Sequence, residues 1–311
     1  MDEPVLETQA LTKRYGSLLA VDGLSIQVPR GGVFGLLGPN GSGKTTTMSM
    51  LLGLVAPTSG TFRLLGHDPG RGHREALHHI GALVESPALY PYLSGRENLQ
   101  YFQGINGGGG DFKEIDRLLE MVGLAERGRS LFSTYSLGMK QRLGIACALV
   151  GDPTMLILDE PTNGLDPAGM AEVREMIRRL GTEGRTVLLS SHLLHEVEQV
   201  CDHIAILSRG RLIAQGAMRD LLQNRGAIRL TTTDNTKAAT IISALPWVAG
   251  VTMDNGYLVA EAPPERSWEL TAALSDQGVA VKEMAPVQVS LESYFLEVTG
   301  SDGDSAPGET S

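Results

Sequence analysis

Val33-Phe34-Gly35-Leu36-Leu37-Gly38-Pro39-Asn40-Gly41-Ser42-Gly43-Lys44-Thr45 is the stretch on which the fold turns. Its first five residues are apolar and read as a buried strand. The next eight match G-x-x-x-x-G-K-[ST], and a helix is predicted after them to about Leu54. A strand that breaks into a glycine-spaced loop and then a helix can wrap a phosphate chain. The glycines let backbone N–H groups point inward, and the helix N-terminus adds partial positive charge. Lys44 then supplies a cation to the β- and γ-phosphates. The Thr45 hydroxyl suits Mg²⁺, and Thr46 offers a further phosphate contact.

Working outward, the continuous apolar run Met155-Leu156-Ile157-Leu158 ends in Asp159-Glu160. Such a run is typical of a central parallel strand buried on both faces. Thr186 to Ser190 is another strand, with helices predicted from Pro167 to Leu180 and from Leu193 to Val200. Ile80 to Val84 adds a further strand. Strand and helix alternate, so the fold class is α/β with a parallel sheet. Val5 to Thr12 and Leu24 to Val28 are β-like, punctuated by Gly16 and Gly23. Residues 95 to 150 read as helical, broken by the four-glycine run Gly107 to Gly110, taken as a loop.

Near Arg225 the pattern changes. A strand at Ala227 to Thr233, a helix at Lys237 to Leu245 and a hairpin over Val251 to Ala260 turning at Asp254-Asn255-Gly256 come first. A helix at Trp268 to Leu274 and a strand at Val279 to Glu283 follow. That β-α-β-β-α-β order suggests a small ferredoxin-like α+β domain over 225–299. It closes with an amphipathic piece, Leu291 to Val298. Residues 300–311 are Gly, Ser, Asp, Glu, Pro, Thr and one Ala, the composition of a disordered tail.

With 26 basic and 36 acidic residues in a chain of 311, the formal net charge is −10. That argues against nucleic acid as the main partner. Cys147 and Cys201 are the only cysteines; they read as reduced, packed thiols. His73, His78 and His79 read as exposed, without accompanying ligands for a metal. No apolar run reaches about 18 residues, and Met1-Asp2-Glu3-Pro4 is no secretory leader. The expectation is a cytoplasmic protein that meets a membrane only through a partner.

Two carboxylates at the end of a strand beside a phosphate loop meet the metal and the attacking water. Asp159 is assigned to Mg²⁺ and Glu160 to the water as general base. Together these motifs resemble the ABC-transporter ATPases, over roughly residues 4–220. Tyr135-Ser136-Leu137-Gly138-Met139-Lys140-Gln141-Arg142 is similar to the family signature, and Pro161-Thr162-Asn163-Gly164-Leu165-Asp166-Pro167 to its D-loop. Ser190-Ser191-His192 matches the switch-histidine position, and Tyr15 in Lys13-Arg14-Tyr15-Gly16 the aromatic on which adenine stacks.

The resemblance implies a nucleotide-binding domain over 4–222. It has an N-terminal antiparallel β-subdomain and a helical subdomain at about 88–150. It implies ATP and Mg²⁺ as ligands, held by Tyr15, by Gly38, Pro39, Asn40, Gly41, Ser42, Gly43, Lys44, Thr45 and Thr46, and by Asp166. His192 is implied at the γ-phosphate. Ser136, Leu137 and Gly138 are implied at the γ-phosphate of ATP held by a second subunit, giving a head-to-tail homodimer. Ser136 also reads as an ordinary helix N-cap, and the two roles are compatible.

Two departures stand out. Leu137 and Met139 occupy signature positions where the family commonly has Gly and Gln. Glu85, in Glu85-Ser86-Pro87, stands where glutamine is common. It is assigned to nucleotide and Mg²⁺, engaging the metal when the subunits close. With Ser290 to Glu297 these features resemble the exporters of the bacitracin, lantibiotic and daunorubicin resistance type. That subgroup implies antibiotic resistance by export through a separately encoded permease of about six membrane-spanning helices. The chain has one phosphate loop and no long heptad run, unlike the ribosome- and DNA-acting relatives.

Overall fold

The computed structural model describes residues 3–70, 72–85, 87–107, 111–223, 226–254, 256–287 and 290–300. The tail beyond 300, most of the Gly107–Gly110 run, Ser86, and Asn255 of the predicted hairpin turn lie outside the described residues. The chain divides into two units, Met1–Gly216 and Ala217–Ser311.

In the first unit, β1 (Leu6–Tyr15), β2 (Leu18–Leu24), β3 (Gln27–Val28) and, after β4 (Gly32–Leu37) and α1 (Lys44–Leu51), β5 (Ser59–Leu64) are named in chain order. Next come α2 (His73–Leu77), β6 (Ile80–Leu83), α3 (Gly95–Ile105), α4 (Phe112–Met121) and α5 (Leu137–Ala148). The unit ends with β7 (Met155–Asp159), α6 (Pro167–Thr182), β8 (Thr186–Ser191), α7 (Leu194–Val200), β9 (His203–Ser208) and β10 (Arg211–Ala217). The second unit holds α8 (Met218–Gln223), β11 (Ala227–Thr232), α9 (Asn235–Ser243), β12 (Gly250–Asp254), β13 (Tyr257–Glu261), α10 (Ser267–Asp276), β14 (Val281–Val287) and α11 (Leu291–Gly300).

A six-stranded sheet in the order β10-β9-β4-β8-β7-β6 is the frame of the first unit. Its strands are parallel from β9 through β6. Every residue of β7 and β8 is buried, which is why they appear in the sequence as continuous apolar or small-residue runs. Because the strands are parallel, the loops after β4, β8, β7 and β6 leave from one edge, in that order across the sheet. That edge receives the phosphate loop, His192, Glu160 and Glu85. A crevice outside the carboxyl ends of parallel strands is where ligands bind in such sheets.

The antiparallel sheet of the first unit runs β2-β1-β3, with β5 also paired to β1. Its inner face merges with the α1 side of the parallel sheet in one core: Leu6, Leu11, Leu24, Phe34, Met48, Leu51, Phe62 and Ile157 are all in it. Helices α3 to α5 make the helical portion. Ser94 starts α3 with a capping box: Glu97 N–H donates to Ser94 Oγ, and Ser94 N–H donates to Glu97 Oε2 at 2.7 Å. The Ser94 hydroxyl, which also donates to Glu97 Oε2 at 2.7 Å, and then the Ser94 N–H hold the Glu97 carboxyl below its usual range.

Three features differ from the sequence expectations. Helix α1 stops at Leu51 rather than near Leu54, because Gly53 takes φ +71, a left-handed stop open to glycine. Strands β5, β9 and β10 and helix α2 had not been read from the sequence. His73 is not exposed. It packs edge-on to Phe62 at 5.4 Å between ring centroids, with both ring nitrogens buried and, among the described residues, without a hydrogen bond. His78 and His79 are exposed.

The second unit has the sheet order β12-β13-β11-β14, all pairs antiparallel. That is the ferredoxin-like arrangement, the first strand central and flanked by the third and fourth. Ile228, Leu230, Leu258 and Ala260 on one sheet face bury against Ala238 and Ile242 of α9 and Leu270 and Leu274 of α10. Pro286 sits on β14, an edge strand, where its missing N–H is tolerated.

Candidate nucleotide site

Strand β4 hands the chain to the phosphate loop, and the loop hands it to α1 at Lys44. Gly43, the N-cap of α1, has φ +101. A Cβ there would lie 2.6 Å from the Ala20 carbonyl oxygen, so this position takes glycine for both conformation and space. Ala20 is the extra residue of a β-bulge, since Lys13 pairs with Val21 while Arg14 pairs with Leu19. Bulges re-aim backbone groups beside active sites. Gly210 completes the contact: its N–H donates to Ser42 O at 3.2 Å, and Asp22 N–H donates to Gly210 O at 2.8 Å.

The Lys44 ammonium is buried. It donates to Gly38 O at 2.7 Å and Pro39 O at 3.3 Å, and lies 3.3 Å from Glu160 Oε1. Ser42 is 2% exposed, and among the described residues its Oγ has no hydrogen-bond partner. A buried hydroxyl at the centre of such a loop is an available phosphate ligand. Pro39, Asn40 and Gly41 form the exposed tip of the loop, and Thr45 and Thr46 are half-buried on the first turn of α1. Thr45 Oγ1 donates to Asp159 Oδ2 at 2.9 Å.

Across the sheet edge, Asp159 is buried at the end of β7 and accepts a short hydrogen bond from Ser190 Oγ on β8. Glu160 follows with φ +47, in the left-handed region, and its N–H donates to the same Ser190 Oγ at 2.9 Å. The other Glu160 oxygen, Oε2, lies 2.8 Å from His192 Nδ1. A carboxylate only accepts, so Nδ1 carries the hydrogen. Lys44, Thr45, Asp159, Glu160, Ser190 and His192 therefore form one connected cluster. Ser190 was not singled out from sequence. Its role depends on register, because β8 places it between Leu36 of β4 and Asp159 of β7.

Glu85 follows β6 on the same sheet edge. It is exposed, with φ +63. Among the described residues, no hydrogen bond or ion pair joins it to the Lys44 cluster. Tyr15 ends β1 opposite Leu18 and is 46% exposed. Leu18 lies two residues, about 7 Å, along β2 from the bulged Ala20 that touches Gly43.

Ser136, Leu137 and Gly138 open α5. Ser136 is its N-cap, accepting from Met139 N–H at 3.3 Å. Asp166 caps α6, accepting from Gly169 N–H at 3.2 Å. The two segments lie side by side, since a Cβ on Gly164 would come within 3.2 Å of Leu137 Cδ2. Ser136 and Leu137 are exposed, so the start of α5 presents its N–H groups at the surface.

The buried thiols of Cys147 and Cys201 have their pKa values pushed up by desolvation, which makes them poor nucleophiles.

Comparison with known proteins agrees with this geometry. The family model described as ABC transporter matches residues 21–163. A bacitracin transport ATP-binding protein of Enterococcus faecalis is 38% identical over 303 residues, spanning 97% of this chain and 98% of its own. A daunorubicin resistance ATP-binding protein of Streptomyces coeruleorubidus is 36% identical over 310 residues, spanning 97% of this chain and 98% of its own. A solved structure titled as the ATP binding subunit of an ABC transporter aligns with a TM-score of 0.62 at 32% identity, covering 70% of this chain and 91% of that one.

Proposed function

The chain belongs to the ABC transporter ATP-binding proteins, and from that premise we propose that it is the motor of an exporter for an antibiotic, peptide or other amphiphilic compound. In this reading it works as a head-to-tail homodimer beneath a separately encoded permease, on the inner face of the plasma membrane. The chain binds ATP and hydrolyses it to ADP and phosphate to drive transport, as its family does. Among the described residues no helix is long and apolar enough to cross a membrane, so the cargo path is assigned to the permease. The names of the bacitracin and daunorubicin relatives, which match along nearly the whole chain, support the cargo class.

One observation carries the hydrolytic assignment: the Glu160 carboxylate is held from both sides, by Lys44 on Oε1 and His192 on Oε2. ATP entering the loop offers phosphate oxygens to Lys44 and Ser42, and these compete with the carboxylate for the ammonium. Glu160 then takes a proton from water as the water oxygen bonds to the γ-phosphorus and the bond to the β-phosphate oxygen breaks. His192 keeps Glu160 aligned through Nδ1–H and turns its other ring edge to the γ-phosphate. Tyr15 stacks on adenine by its face, and Asp166 lies with the D-loop at the nucleotide.

The hydroxyl–carboxylate pair of Thr45 and Asp159 is an all-oxygen donor set, which suits Mg²⁺. These two residues hold the metal in this account, with Glu85 joining on closure. When bound, Mg²⁺ neutralises charge building on the phosphates. The exposed start of α5, with Ser136, Leu137 and Gly138, is the anion site offered to the partner's γ-phosphate.

Pull-down of the tagged chain from a detergent extract of its own cells tests the assembly. Recovery of a chain with about six apolar segments of roughly 20 residues supports the proposal. Recovery of ribosomes or DNA without such a chain contradicts it.

A further inference from the structure

Tyr15 presents an aromatic ring at the end of a strand, half in solvent. A ring in that position can rotate, and stacking a base on it would then cost orientational freedom. In this chain the ring is not free on both sides. Lys13 Nζ sits 4.9 Å from the Tyr15 ring centroid, over one face. Residues two apart on a strand project to the same side, so the lysine stem can arch over the ring.

The ammonium is itself anchored. Lys13 Nζ donates to the Ala56 carbonyl oxygen at 2.7 Å. The same short segment after α1 grips the end of β1 twice more. Thr58 N–H donates to Thr12 O at 2.8 Å, and Arg14 N–H donates to Thr58 Oγ1 at 3.0 Å. Residues 56–58 close the connection from α1, the helix whose first residue is Lys44, to β5. The strand end that carries Tyr15 is thus fastened to that connection, and the lysine is the part of the fastening that reaches the ring.

From this we infer that Lys13 is a positioning residue for the nucleobase, holding the Tyr15 ring by one face so that the opposite face is kept presented to the base. The inference rests on the reading of Tyr15 as the adenine platform and goes beyond it by naming what orients the platform. A fixed cation over a ring is attractive in its own right and also blocks that face. Only one side is then left for stacking, the side away from Ala56. The interaction is blind to base identity, so it sets where a base lies rather than which base is taken. The phosphate groups, gripped by Ser42 and Lys44, are not served by Lys13.

The test is calorimetric binding of ATP and of inorganic triphosphate, which has no base, to the full chain. Wild type, Lys13→Met, Lys13→Arg, Tyr15→Ala and the Lys13→Met/Tyr15→Ala double variant are compared. Lys13→Met should weaken ATP binding about fivefold, as expected for loss of an exposed cation–π contact, with triphosphate affinity unchanged. Lys13→Arg, which keeps charge and stacking, should restore it. In the Tyr15→Ala background Lys13→Met should add nothing further. Equal weakening of ATP and triphosphate by Lys13→Met, or full additivity in the double variant, would overturn the inference. If Tyr15→Ala weakens ATP while Lys13→Met does not, the inference fails and the platform reading stands. If Tyr15→Ala binds ATP as wild type does, the platform reading itself fails and the inference falls with it.

Discussion

Ser190→Ala probes the cluster at its least expected member. The Ser190 side chain has no exposed surface. Its hydroxyl donates to the buried Asp159 carboxylate and accepts from the Glu160 N–H at 2.9 Å. A hydrogen bond to a charged group contributes about 1.5–3 kcal/mol, and stranding a partly buried N–H costs about 1 kcal/mol. The expected loss is therefore about 3 kcal/mol. In a unit of this size each kcal/mol moves the midpoint by about 2–4 °C, so the melting transition should fall by roughly 6–12 °C.

Activity should fall as well. Glu160 holds φ +47, a region that costs a non-glycine residue about 1–2 kcal/mol, and the Ser190 bond is part of what holds it there. Released, the residue relaxes toward negative φ and its carboxylate moves. A displacement near 1 Å should lower turnover about 10²-fold, while ATP binding through Lys44 and Ser42 stays near wild type. Scanning fluorimetry, a phosphate-release assay and nucleotide titration on one preparation decide it. A midpoint shift under about 2 °C together with wild-type turnover would refute the reasoning.

Lys44→Ala should abolish ATP binding with the fold retained, since the ammonium contacts loop carbonyls and Glu160 rather than the apolar core; unchanged thermal unfolding with near-wild-type ATPase activity would contradict it. His73→Phe should flatten the acid side of the stability profile. Burial lowers the His73 pKa below 6.5, so its contribution is fully present above about pH 6.5 and declines as pH falls from there, because the unfolded chain protonates first. Urea titrations between pH 7.5 and 5 should show a shallower slope in the variant, and parallel profiles would refute this. Glu85→Gln should change the Mg²⁺ dependence of ATPase activity and its stimulation by the permease, with little effect on ATP affinity. A carboxylate binds the metal more strongly and cannot donate to phosphate; superimposable Mg²⁺ curves would leave Glu85 as a surface residue.

The parallel core was legible because burial on both faces writes itself into sequence. Val33 to Leu37 and Met155 to Leu158 have nowhere polar to face. The phosphate loop was legible because its conformation and chemistry admit few residues. Strand β9 carries a similar run, Ile204 to Leu207, yet Val197, Val200, Cys201 and Ile204 fall at i, i+3, i+4 and i+7, so helical spacing runs across the junction and hides the strand. In β5 only Phe62 and Leu64 are buried, too little alternation to stand out. His73 sits in a polar stretch, but it shares the inward side of α2 with Ala76 three residues on. The Ser190 bridge depends on the register of β8 between β4 and β7, and the anchoring of Lys13 depends on the distant Ala56 carbonyl, and neither is encoded by residue type alone.

The central claim is that two copies close on ATP, each lending Ser136 and Gly138 to the nucleotide held by the other's Lys44. Light-scattering mass measurement of Glu160→Gln, with and without Mg-ATP, tests it most directly. The amide keeps the shape of the carboxylate but cannot take the proton from water, so ATP should bind and remain uncleaved. The account predicts a monomer of 33.2 kDa without nucleotide and twice that mass with Mg-ATP, the shift being lost when Lys44→Ala is added. A Glu160→Gln chain that binds ATP at saturation and stays monomeric at high protein concentration would contradict the sandwich.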